Sequence, residues 1–167
     1  MQNRPVVQLP KSRAETILDV ISLIVIASTI AYIAYEWQNL PERIPMHFNG
    51  KGEIDGWGNK MSLIALPIIG IIVYTGLTLL SKAPHVYNYP TSITAQNAGA
   101  QYQNARLFIT ILKAVIVVLF AFIEWTIIHT AKEGNADLNW WVFGFILLML
   151  FGTIIFFIVR SIRLKLK

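Results

Sequence analysis

Long apolar runs alternate along this chain with short polar connections. Four runs are long enough to cross a bilayer: Ile17–Trp37, Met61–Leu80, Leu107–Thr130 and Leu138–Val159. A span takes roughly 20 residues at about 1.5 Å each. Backbone in lipid must satisfy its own hydrogen bonds, so each run is predicted to be a helix. The first run follows Arg4, Lys11 and Arg13, as the core of a signal peptide would. Its apolar stretch is too long for one, and it ends in Glu36-Trp37 instead of a small-residue cleavage site, so it reads as a retained helix. The pattern therefore predicts an all-α integral membrane protein, a bundle of four transmembrane helices forming one membrane domain over residues 1–167.

Local signals refine this frame. Residues Met1–Lys11 contain two prolines and read as a loose tail. Ser12 with Glu15 makes a capping-box pattern, so helix one is expected to start near Arg13. Ala27, Ala31 and Ala34, with Ser28 beside them, form a small-residue face suited to helix packing in lipid. Pro67 removes a backbone hydrogen bond and is expected to bend helix two beneath the first loop. The connection 81–106 begins irregularly. Thr94 is the expected cap of a polar helix that runs on into helix three, standing proud of the membrane or lying along its surface. Gly134 and Asn135 mark the turn before helix four, and Tyr32, Tyr35, Trp37, Trp140 and Trp141 mark an interfacial aromatic belt.

Composition agrees with this pattern: 55% of residues are hydrophobic and only 14% charged. With no cysteine, a disulfide framework and a thiolate metal site are both excluded. The net charge of +5 would raise nucleic acid as a partner in a soluble chain. Here the basic residues gather beside the apolar runs, which points to membrane orientation and away from nucleic acid. Arg4, Lys11, Arg13, Lys82, Arg106, Arg160, Arg163, Lys165 and Lys167 lie on one side of the frame, against Arg43, Lys51, Lys60 and Lys132 on the other. The excess predicts cytoplasmic termini, a cytoplasmic 81–106 segment and an extracellular loop over residues 38–60.

That loop carries the candidate chemistry. Pro45 holds Ile44 extended, and Asn49-Gly50 and Asp55-Gly56 are turn signals, so a compact, glycine-rich loop with a small hairpin is expected. His47, Asn49, Asp55, Trp57 and Lys60 are its candidate residues, either for binding a ligand or for locking the loop's shape. His47, Glu53, Asp55 and Glu36 offer donor atoms but no metal-ligand spacing, and no nucleophile lies near His47. Neither a cofactor, a metal nor a catalytic residue is implied. Three further candidates are intramembrane polar residues: Glu36, Lys113 and Glu124. Glu36 stands either at the water boundary or turned under the loop. Lys113 lies about 9 Å inside helix three and is expected to snorkel to the cytoplasmic headgroups. Glu124 lies about 6 Å from the other end and is expected to meet Lys60, Arg43 or His47.

The run carried by Leu40, Pro41, Ile44, Pro45, His47, Phe48, Asn49, Gly52, Asp55, Trp57, Gly58 and Lys60 resembles the signature of an uncharacterised bacterial membrane domain. That domain also forms the N-terminal part of Sdp-type toxin-immunity proteins. The stretch from Asn88 to Gln103 is similar to a second patch found in stand-alone members. The resemblance implies a four-helix protein of the bacterial plasma membrane. For the immunity proteins it further implies protection from a secreted peptide toxin, with sensing that sequesters a repressor at the membrane. Three functions are thus expected of such a chain. The first is a non-enzymatic membrane protein whose outer loop binds a secreted peptide, with 81–106 as a site for a cytoplasmic protein. The second is a small oligomeric transporter or channel-like subunit using Glu124 and Lys113. The third is a membrane-embedded enzyme using outer-face carboxylates and His47.

Overall fold

A computed structural model describes residues 4–134 and 139–164. Asn135–Leu138 of the expected turn, and Lys165 and Lys167 of the basic end, lie outside the described residues. In chain order the elements are α1 (Arg13–Glu36), β1 (Arg43–Phe48), β2 (Ile54–Asn59), α2 (Ala65–Leu80), α3 (Ala98–Glu133) and α4 (Trp140–Arg163). Among the described residues there are four helices long and apolar enough to cross a membrane.

The bundle is inside-out relative to a soluble protein. The buried residues of α1 are Glu15, Asp19, Ser22, Ile33 and Glu36, a mostly polar stripe on one face. Its exposed residues include Ile17, Val20, Ile21, Leu23 and Ile24. Lipid solvates apolar side chains, so polar ones turn inward to find partners. This overturns the expected packing face: Ala27, Ser28, Ala31 and Ala34 point out of the bundle. Three acids of α1 meet three bases of α3 in the same order along both helices. Glu15 pairs with Arg106 at 3.0 Å, Asp19 with Lys113 at 2.6 Å and Glu36 with Lys132 at 2.8 Å. The two helices therefore run parallel.

Ser12 caps α1 through the reciprocal bonds of a capping box with Glu15. From Arg4 onward the tail before it is docked, not loose. Arg4 donates to the carbonyls of His85 and Tyr87 at 3.2 and 2.5 Å, the Tyr102 hydroxyl donates to the Pro5 carbonyl, and Arg106 donates to that of Leu9. Val7 and Leu9 pack on Ile93, Ala98 and Tyr102. Thr94 and Asn97 cap one another across a turn, and α3 starts after them, at Ala98. Its polar first turns do not stand alone either. Gln101 is wholly buried and bonds the Ser161 hydroxyl and carbonyl of α4 at 2.6 and 2.9 Å. Burial keeps the phenols of this segment protonated: Tyr87 is pushed up to about 12, and Tyr89 is raised as well, first by burial and then by Tyr102 and Tyr87.

Pro67 lies near the start of its helix and not in its interior. The chain from Lys60 to Ile64 is a 3-10 turn and α2 begins at Ala65, so Pro67 sits in the first turn of α2, where proline is tolerated.

Candidate functional site

Strands β1 and β2 pair antiparallel and form a hairpin across the ends of α1, α3 and α4. Ile44, fully buried, anchors it on Ile33, Leu40, Leu63, Ile127 and Ile128. Glycines allow the close approach. A Cβ on Gly56 would stand 2.9 Å from the His47 Cβ, and one on Gly58 would stand 2.6 Å from the Met46 Cγ. Asp55-Gly56 therefore lies within β2 and makes no turn. The turn spans Asn49 to Glu53, with Asn49 as its organiser. Its side-chain oxygen accepts from Lys51 N and Glu53 N at 2.8 and 3.1 Å, and its amide donates to the Glu53 carboxylate. Positive φ falls at Gly52 (84°), not at Gly50.

Each loop candidate has a definite place. His47 Nδ1 and Asp55 Oδ1 are in contact across the hairpin, both side chains exposed. Lys60 pairs with Glu42 at 2.8 Å and lies 5.5 Å from the centre of the Trp37 ring. Trp57 projects outward, 52% exposed. Glu36 is turned inward, 5% exposed, held by Lys132 and by the Asn39 amide. Beside the hairpin runs a groove of about 360 Å³, walled by Met46, His47, Phe48, Asn49 and Gly50 on one side. Ile123, Thr126 and Ile127 of α3, with Trp140 and Phe143 of α4, form the other wall. Most of the surface is apolar; His47 and Asn49 supply its polar rim. Among the described residues, no cluster of His, Asp or Glu is placed to hold a metal ion.

The two charges of helix three depart from expectation. Lys113 does not snorkel. It is 1% exposed and donates to Asp19 at 2.6 Å and to Thr78 at 2.8 Å, with its ammonium 4.4 Å from the centre of the Tyr74 ring. Asp19 brings an opposite charge to the same depth, and it also takes Lys11 at 2.5 Å. Sequence reasoning passed over Asp19, an acid about 3 Å inside span one at the same end of the frame as a lysine about 9 Å inside span three. Glu124 reaches none of Lys60, Arg43 or His47. It is 1% exposed, and neither carboxylate oxygen has a hydrogen-bond partner among the described residues. Its cavity, between α1, α2 and α3, does not include Lys113.

Four spanning helices capped by a hairpin at one end define a multi-pass membrane protein. A family model described as a domain of unknown function, DUF1648, matches residues 24–71, which run from mid-α1 through the hairpin into α2. The chain is also similar to an uncharacterized protein of Archaeoglobus fulgidus, 27% identical over 138 residues, covering 73% of this chain and 74% of the relative. No solved structure matches.

Proposed function

We propose that this chain is a non-enzymatic protein of the bacterial plasma membrane that binds a secreted peptide on the extracellular face of its hairpin. The observation that carries the reading is the groove between the hairpin and the α3–α4 wall. It is apolar along its length with His47 and Asn49 at the rim, and its volume falls in the range of sites that hold small ligands or a few side chains. The excess of Lys and Arg at the opposite end supports an outward-facing hairpin. The resemblance to Sdp-type immunity proteins supports a toxin peptide as the ligand and a repressor-like partner on the cytoplasmic side at 81–106.

A growth assay tests this. Cells expressing the chain are challenged with a panel of secreted membrane-active peptides. Wild type protects against at least one, and His47→Ala, Asp55→Ala and Lys60→Ala each lose protection while remaining in the membrane. Equal protection by the variants sinks the reading.

A second reading, a membrane-embedded enzyme, draws on the His47–Asp55 contact, because a carboxylate on Nδ1 orients a histidine as a general base. His47→Gln separates the two. A binding role tolerates an amide that still bonds Asp55, whereas proton transfer does not.

A further inference from the structure

We propose that Glu124 is an intramembrane proton-binding site, a role independent of the hairpin groove. The other buried acids of the bundle each have a cation: Glu15 has Arg106, Asp19 has Lys113 and Glu36 has Lys132. Glu124 is buried to the same degree and has none, and both of its oxygens are without a hydrogen-bond partner among the described residues. An ionised carboxylate left so in lipid is costly, and intramembrane acids that persist mark sites that exchange an ion.

The surroundings select the ion. The carboxyl lines a cavity of about 20 Å³ with Ile26 and Thr29 of α1, Leu66, Pro67 and Gly70 of α2, and Val117, Phe120 and Ala121 of its own helix. None of these neighbours is titratable. The only other polar side chain is Thr29, and its hydroxyl already donates to the Val25 carbonyl at 2.9 Å. The hydrogen of Thr29 is thus spent within its own helix, and Thr29 offers an ionised carboxylate at Glu124 no donor. The space is enough for about one water. A metal cation takes several oxygen ligands. One carboxyl, one hydroxyl and one water fall short of that, whereas a proton needs no more than the carboxyl.

Dicyclohexylcarbodiimide tests the assignment on the full chain in liposomes. This lipid-soluble reagent reacts with protonated carboxyls in apolar surroundings. The acid O–H adds across one C=N bond, oxygen to carbon and proton to nitrogen, and the adduct rearranges to a stable N-acylurea with no leaving group. Peptide mass mapping is expected to place the adduct on Glu124, with Glu15, Asp19 and Glu36 unmodified. Labelling should fall several-fold as the buffer is taken from mildly acidic to strongly alkaline, and sodium at constant pH should leave it unchanged. Glu124→Gln should lose the adduct, but the mapped wild-type peptide carries the result even if that variant folds poorly. The proposal is overturned if Glu124 is labelled only after unfolding in detergent, or if sodium protects it at constant pH.

Discussion

Asp19 and Lys113 form the most consequential pair in the bundle. Both are buried, and Thr78 and Tyr74 complete the shell around the ammonium. Removing Asp19 leaves Lys113 as an uncompensated buried charge, which costs roughly 3–5 kcal/mol, whereas removing Lys113 leaves Asp19 still paired with Lys11. Asp19→Ala is therefore expected to lower resistance to unfolding in denaturing detergent by that amount, and Lys113→Ala by less. The double variant Asp19→Leu with Lys113→Leu should recover most of the loss. A double variant as weak as Asp19→Ala would show that the charges matter for something other than pairing. The sequence displayed both residues, but periodicity gives only a helix face, and which helices are neighbours is not written in any one span. For that reason Lys113 reads from sequence as a snorkelling lysine and Glu124 as a partner of loop cations.

At the scale of elements, the hairpin depends on residues that let chains come close. Gly52 has φ of 84°, and a Cβ there would lie 2.9 Å from the Trp140 Nε1 of α4. Gly52→Val is expected to cost roughly 1–2 kcal/mol from backbone strain alone and to lift the turn off α4, seen as a changed Trp140 environment in fluorescence. An unaltered spectrum would mean the turn does not rest on α4. The tail end makes a separate prediction. Tyr87 titrates from 10.0 in the unfolded chain to about 12 when folded, because burial disfavours the phenolate. Its stabilising contribution is full below pH 10 and is lost as pH rises through about 12. Tyrosinate absorbance should therefore rise late and be accompanied by release of the tail, read as new protease cleavage near Lys11. The hairpin and its turn at Asn49 were legible from Pro45 and Asn49-Gly50, but the second turn signal misled. Asp55-Gly56 has the local pattern of a turn, and pairing with His47 decided that it lies inside a strand.

For the whole molecule, three α1 acids matched in order to three α3 bases specify two parallel neighbours in a medium where apolar contact cannot discriminate among helices. α2 and α4 then pack against α3 and present Ile68, Ile72, Phe145, Leu148 and Ile155 to lipid. The absence of cysteine makes topology directly testable. Lys51→Cys in the hairpin turn should react with a membrane-impermeant maleimide on intact cells, and Lys82→Cys should react only after permeabilisation. The reverse pattern would invert the proposed orientation and remove the hairpin from the path of any secreted ligand.

Four apolar runs of spanning length were enough, by themselves, to determine a four-helix membrane protein, because lipid leaves the backbone of such a run no alternative to a helix. The capping box and the compact loop were local as well, set by residues a few positions apart. Tertiary structure alone decided what each buried charge faces. Glu15, Asp19 and Glu36 found cations on α3, the polar start of α3 was covered by the tail and α4, and Glu124 was left without a partner among the described residues. The physical reason is range. Backbone hydrogen bonding and capping are settled within a turn of helix, whereas the environment of a buried charge depends on segments that meet only when the bundle closes.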